Sequence, residues 1–186
     1  MRQALTGLLL SIALWTAGCA TVPAVREQPE PASTAAQHRS PLMEPPGAFL
    51  AEVTQATVAT TICVPGWTST VRPSPSFTNA VKLRMLKRAG LEPGEAAEYE
   101  LDHFVPLALG GHPRSEENLW LQPWSGTWGA RVKDQLERRL QVMVCAGQLS
   151  LQTAREAIQR GWKEAYRRFV GGSREDLPQS EFQQVD

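Results

Sequence analysis

Asp102 and His103 stand side by side, and Asn118 follows the histidine by fifteen residues. A carboxylate is a hard oxygen donor suited to a divalent cation. An imidazole titrates near neutrality and can take a proton from water. Together they could cradle one divalent metal and one general base, provided the chain holds them at one point. The stretch that must do so runs from Tyr99 to Pro123, YELDHFVPLALGGHPRSEENLWLQP. Two apolar-rich runs, Tyr99 to Leu109 and Asn118 to Gln122, flank a loop of glycine, proline and charge. Gly110-Gly111 supplies the backbone freedom for a reversal, and Pro123 stops the second run. The pattern predicts an irregular hairpin with a long loop, followed by a helix from about Gly129 to Cys145. Side chains of neighbouring strand residues point to opposite faces, so a shared site for Asp102 and His103 requires an irregular strand.

Asp-His, Pro-Leu-x-x-Gly-Gly and then Asn-Leu after an acidic loop resemble the ββα-metal core of HNH endonucleases. The likeness covers roughly Glu98 to Leu140. Thr61 to Gly66 (TICVPG), Val71 to Pro73 (VRP), Lys133 to Glu137 (KDQLE) and Val144 to Gly147 (VCAG) are similar to a secreted or lipoprotein branch of that family. This widens the likeness to about Thr60 through Phe169. The resemblance implies metal-dependent hydrolysis of nucleic-acid phosphodiesters. Asp102 would ligate the metal, His103 would act as general base, and Asn118 would hold the loop and orient the base. It implies one divalent ion, Mg²⁺ first and Mn²⁺ or Zn²⁺ as alternatives, acting as a Lewis acid on the phosphate.

The chain departs from the family at one position. The family's second protein ligand, a His or Asn, lies near the start of the helix, and here that position is Gly129. One carboxylate plus waters would hold an ion weakly, although Mg²⁺ tolerates such sites. Glu100 shares a strand face with Asp102 if the pleat is regular and is a supplementary oxygen donor. His112 would substitute only if the loop folded back, and a histidine in a Gly-x-Pro turn is ordinarily just exposed. Arg131 and Lys133, near the helix start, are candidate phosphate contacts.

The N-terminus carries a second signal. Arg2, an apolar run from Ala4 to Trp15 and then Thr16-Ala17-Gly18-Cys19 form an export signal, too short for a spanning helix. Small residues before Cys19 resemble a bacterial lipoprotein signal, with acylation of Cys19 and, given Ala20, sorting to the outer membrane on the periplasmic side. Thr16 departs from that pattern, so plain secretion stays open as the alternative. Residues 1–18 are thus read as the signal and residues 19–46 as a disordered Pro/Ala-rich tether that cannot bury enough surface to fold. Residues 47–172 are read as the HNH-like domain and residues 173–186 as a polar tail.

The 186 residues carry zero formal net charge and a hydrophobic fraction of 42%, ordinary for a globular chain. Thr61 to Val170 holds 15 Lys/Arg against 11 Asp/Glu, a mild basic excess that suits a polyanion without requiring one. Of three cysteines, acylation would consume Cys19. In an oxidising compartment the remaining pair, Cys63 and Cys145, is predicted to bridge. No CxxC pair supports a zinc ribbon. Before the core, Phe49, Leu50 and Val53 fit a short helix while Thr57 to Ile62 is strand-like, and the boundary stays open. Cys63 to Trp67 reads as a turn and Ser69 to Phe77 as extended. A helix is expected from Asn79 to Ala89, capped by Thr78, with Val81, Met85 and Leu86 inward. After the core, Val132, Leu136, Leu140 and Met143 recur at helical spacing, and Ser150 caps a last helix with the stripe Ala154, Ile158, Trp162, Ala165, Tyr166 and Phe169.

The sequence therefore predicts an α+β fold with an HNH-like hairpin and helix buttressed by further helices. The expected activity is an endonuclease of low sequence specificity, DNA before RNA, with nucleic acid and a membrane as partners and no protein partner. The alternative is a catalytically weakened HNH-derived envelope lipoprotein with a binding or structural role. An exported peptidoglycan or protein hydrolase ranks last, since no fitting nucleophile or zinc pattern is present.

Overall fold

The computed structural model describes residues 39–171. The signal, Cys19, most of the tether and the polar tail lie outside the described residues. The fold is α+β: four α-helices and one antiparallel hairpin among the described residues, joined by short 3₁₀ turns. In chain order the α and β elements are α1 (Trp67–Val71), α2 (Pro75–Ala89), β1 (Tyr99–His103), β2 (Leu119–Pro123), α3 (Ala130–Cys145) and α4 (Leu151–Phe169).

The hairpin forms the centre. Tyr99 pairs with Pro123, Leu101 with Leu121 and His103 with Leu119; Glu100 pairs with Gln122 and Asp102 with Trp120. Alternation gives the two faces different chemistry. Leu101, Leu119 and Leu121 pack against Val81, Met85 and Leu86 of α2. Trp120 joins the larger core formed by Val132, Leu136, Leu140 and Val144 of α3 and by Ala154, Ile158, Trp162 and Tyr166 of α4. α2, α3 and α4 each have their apolar residues at the spacing a buried face demands, with Val144 rather than Met143 completing the α3 stripe.

Three boundaries differ from the sequence reading. Residues 39–46, read as the end of the tether, pack on the fold. Leu121 N–H donates to the Pro41 carbonyl at 2.8 Å, Arg39 Nη2 to the Glu116 carbonyl at 2.8 Å, and Trp162 Nε1 to Glu44 Oε1 at 2.9 Å. The ordered domain therefore begins by Arg39, not Gly47. Ser69 to Phe77 is not extended: it holds the end of α1 and the start of α2. Ser74, not Thr78, caps α2, its hydroxyl accepting from Phe77 N–H, and Pro75 occupies the first turn where its missing N–H costs nothing. The segment Thr57 to Ile62 is turns and a 3₁₀ helix, Val58–Thr60, rather than a strand. The Cys63–Cys145 disulfide is present and joins the segment before α1 to the end of α3.

Candidate functional site

β1 runs into the site as a regular strand. Every one of its five residues is paired in register, so no irregularity turns Asp102 and His103 toward each other. This corrects the expectation of a bent strand: the two side chains leave opposite faces. Asp102 points to the α3 face and His103 to the face where the long loop returns.

His103 is buried, and its Nε2 lies 3.0 Å from the Pro113 carbonyl. That contact makes Nε2 the donor, because a carbonyl can only accept. It leaves Nδ1 with a lone pair. Burial pushes the imidazole below its ordinary range, against the raising effects of the Pro113 contact and Asp102. A neutral ring with one nitrogen fixed by a carbonyl is the protonation state a general base needs.

Asn118 holds the loop that carries this carbonyl. Its Oδ1 accepts from Val105 N–H at 2.8 Å, and its Nδ2 donates to the Val105 carbonyl at 2.9 Å and the His112 carbonyl at 3.1 Å. The amide is fully buried and satisfied, a staple across the base of the loop. Gly111 is required here, since a Cβ would lie 1.8 Å from the Val105 carbonyl oxygen. His112 is engaged through one ring nitrogen within the loop. Its Nδ1 accepts from Arg114 N–H at 3.2 Å and Ser115 N–H at 3.0 Å and so fixes the loop turn. Arg84 and Arg88 of α2 grip the Glu116 carboxylate at 2.6 and 2.7 Å and pin the far side of the loop.

On the other face α3 closes over Asp102. Its Oδ2 accepts from Lys133 Nζ at 2.7 Å and from Trp120 Nε1 at 3.2 Å. Lys133 also donates to the His103 carbonyl at 2.9 Å and to Glu137 Oε1. All three ammonium protons are used and the side chain is buried, so Lys133 is not the phosphate contact expected from its position. Burial alone would lower this lysine's pKa; Asp102 and Glu137 outweigh it and hold the ammonium charged. Arg131, by contrast, is exposed at the start of α3. Glu100 shares the Asp102 face as expected. Burial, then the charges of Asp102 and Asp134, raise its carboxyl to about 7. Across from it Gln122 is buried with neither amide atom hydrogen-bonded among the described residues, which costs about 1–3 kcal/mol.

The donor set decides which metal the site could take. Among the described residues no group of three His, Cys, Asp or Glu residues is arranged to hold an ion. Zn²⁺, which takes three or four protein ligands, does not fit. Mg²⁺ retains waters and commonly uses one or two carboxylates together with substrate phosphate. Among the described residues Asp102 Oδ1 carries no hydrogen bond; its side chain is 13% exposed, with Glu100 next along the same face. That set fits a weakly held Mg²⁺ shared with substrate, with Lys133 and Trp120 fixing the carboxylate through its other oxygen.

Gly129 has a structural cause. A Cβ there would lie 2.3 Å from the Trp124 carbonyl oxygen. No ligand side chain can stand at that position without moving the turn into α3. Gly129→Asn is therefore expected to destabilise the fold by about 1–3 kcal/mol through overpacking and to leave Mg²⁺ affinity no higher. Urea melts and a metal titration check both, and a tighter metal site in a stable variant would refute the steric account.

One residue went unassigned in the sequence. Arg72, exposed just after α1, lies close enough to Glu100 and His103 to act on both electrostatically. The Val-Arg-Pro segment was visible, but its approach to the hairpin was not. No family model, curated protein or solved structure matches this chain.

Proposed function

We propose that the chain is a metal-dependent, HNH-like endonuclease that hydrolyses nucleic-acid phosphodiesters, DNA in preference, with little sequence readout. It is exported and anchored through acylated Cys19 on the periplasmic side of the outer membrane. The observation that carries the reading is the neutral His103 imidazole, fixed at Nε2 by Pro113 with Nδ1 left to take a proton, at the end of a hairpin whose preceding residue presents a carboxylate under a helix. A divalent ion held by Asp102 would supply Lewis-acid stabilisation of the phosphate charge. His103 leaves the opposite face of β1 from Asp102, so it would take the proton from a water approaching from that side, and the scissile phosphate would have to span the end of the strand between them. Asn118 would keep the Pro113 carbonyl and the base in register. Arg131 and Arg72 would attract the flanking phosphates. With one protein carboxylate for the ion, turnover is expected to be slow.

The Lys133 ammonium favours a second reading. It puts a fixed positive charge on the carboxylate one helical turn beyond Gly129, where a metal site would otherwise be completed. A domain so arranged would keep the fold and serve as a non-catalytic envelope lipoprotein. Plasmid digestion by the purified chain in millimolar Mg²⁺, Mn²⁺ or Zn²⁺ separates the two. The nuclease reading expects Mg²⁺- or Mn²⁺-dependent nicking that falls by about a hundredfold or more in His103→Ala, the usual contribution of a general base. Absence of cleavage with every metal, or cleavage indifferent to His103, would leave the non-catalytic reading standing.

A further inference from the structure

Gln122 is a buried polar side chain that the packing of the hairpin leaves unexplained. It lies on β2, fully enclosed, and among the described residues neither its Oε1 nor its Nε2 has a hydrogen-bond partner. An apolar side chain at this position would carry no such cost. Strand pairing places the amide. Gln122 stands opposite Glu100, and the next pair on the same face is Asp102 with Trp120. Partners do meet on that face, since Trp120 Nε1 donates to Asp102 Oδ2 at 3.2 Å. Residues directly opposite bring their Cβ atoms to about 4.5–5.5 Å, and diagonal neighbours, here Gln122 and Asp102, to about 7–8 Å, within reach of a long side chain. Asp102, Glu100 and Gln122 therefore offer oxygens to one patch of the hairpin.

The charge on this face is short of cations. Asp102 and Asp134 act on both Glu100 and Glu137, while Lys133 and Arg72 are the cations that act on Glu100. Lys133 already uses its three protons on Asp102 Oδ2, the His103 carbonyl and Glu137, so none is left for Glu100 or Gln122. An enclosed amide without partners, beside two carboxylates of which one keeps Oδ1 open, has the chemistry of a hard-cation site. Carboxylate and amide oxygens are both ligands of such ions. With Oε1 on the ion, Nε2 is left to donate to a neighbouring acceptor. Glu100 and Asp102 are both partly exposed, so the patch opens to solvent from β1. We propose that Gln122 Oε1 is a direct ligand of the divalent ion, completing with Asp102 Oδ1 and the Glu100 carboxylate an all-oxygen set drawn from the hairpin alone. The ligand that Gly129 does not supply then comes from β2 and not from α3. Such a set selects Mg²⁺ or Mn²⁺, with water in the remaining positions. The proposal rests on the reading of Asp102 as a metal ligand.

Isothermal titration of Mg²⁺ into the purified chain, without nucleic acid, reads the site directly. Thermal melts with and without Mg²⁺ read the same binding through stability. Gln122→Met keeps the length of the side chain and removes the amide. It should melt no lower than wild type in the absence of metal, bind Mg²⁺ about tenfold more weakly or worse, and lose the Mg²⁺-induced rise in Tm. Gln122→Glu should melt below wild type without metal, since a third carboxylate joins two others, and gain a larger rise in Mg²⁺. Mg²⁺ affinity unchanged in Gln122→Met would overturn the proposal, and so would a wild type that takes up no Mg²⁺ at millimolar concentration. If Gln122→Met does not fold, Gln122→Glu decides: a Mg²⁺-induced rise no larger than that of wild type overturns it. Plasmid cleavage is scored separately. Mg²⁺ binding that depends on Gln122 in a chain that cleaves nothing sinks the nuclease reading alone. Cleavage that depends on His103, with Mg²⁺ affinity indifferent to Gln122, sinks the ligand assignment alone.

Discussion

Lys133→Met is expected to destabilise the domain by about 3–5 kcal/mol, the usual consequence of removing one partner from a buried ion pair. Among the described residues the ammonium is the only cation bonded to Asp102 and Glu137, and it also satisfies the His103 carbonyl. Methionine fills the volume and restores none of these bonds. Two carboxylates are then left facing each other with Glu100 and Asp134 nearby. The loss should depend on pH in a stated direction. Burial already raises Glu137 and Glu100, the latter to about 7 from an ordinary 4.5. A carboxyl whose folded-state pKa is raised contributes stability below its unfolded value and loses it as pH climbs through the folded one. The wild type should accordingly weaken between about pH 4.5 and pH 7, and Lys133→Met, with an attractive charge removed, should weaken more steeply. Urea melts at pH 5 and pH 8 check this. A variant equally stable at both, or within 1 kcal/mol of wild type, would show that the buried charge cluster is not what the lysine holds together.

The same substitution bears on the two functional readings. If Lys133 only orients Asp102 for a metal, its loss should slow cleavage along with stability. If it stands in place of the metal, its removal should strengthen Mg²⁺ binding, because the repelling charge is gone. Isothermal titration of Mg²⁺ into both proteins at pH 8 reads the difference directly.

What could be read from the sequence follows from the range of each interaction. The hairpin was legible because Gly110-Gly111, Pro123 and the apolar runs act within a few residues. So were α3 and α4, whose stripes repeat over four turns or more. The Asn118 staple was legible in kind, from an amide expected to hold a loop. The start of α2 was misplaced although Ser74-Pro75 is itself a start signal; two prolines suggested extended chain where one of them occupies a helix's first turn. Residues 39–46 looked like tether because they bind through carbonyls, a guanidinium and a carboxylate, and backbone contacts leave no apolar period in the sequence. Lys133 was misjudged for a related reason. Its i, i+4 partner Glu137 is local, but Asp102 lies 31 residues away, and only that contact explains why the charge is buried. Gly129 was visible as a missing ligand, while the Trp124 carbonyl that forces it could be seen only in three dimensions.

Replacing the disulfide, by Cys63→Ser/Cys145→Ser, is expected to lower stability by about 4–5 kcal/mol on the chain-entropy relation for a closed loop of 82 residues. That is a large part of the roughly 5–15 kcal/mol that holds an ordinary domain folded. The enclosed chain contains α1, α2, the hairpin and α3, so the bond constrains almost everything that forms the site. The native ends should stay together without it, since Gln141 Nε2 donates to the Ile62 carbonyl at 2.8 Å one residue from Cys63. The effect should therefore fall on the unfolded chain, which becomes free to expand. Two signatures follow: the denaturant slope rises, because more surface is exposed on unfolding, and the folded variant keeps its secondary structure by circular dichroism. Cys145 is exposed, so the wild type in excess reductant should shift toward the same curve. A loss below 1 kcal/mol with an unchanged slope would mean that the packing of α3 on α4, and not the bond, limits the unfolded ensemble. A loss with the slope unchanged would place the disulfide's contribution in native packing around Cys63 instead of in chain entropy.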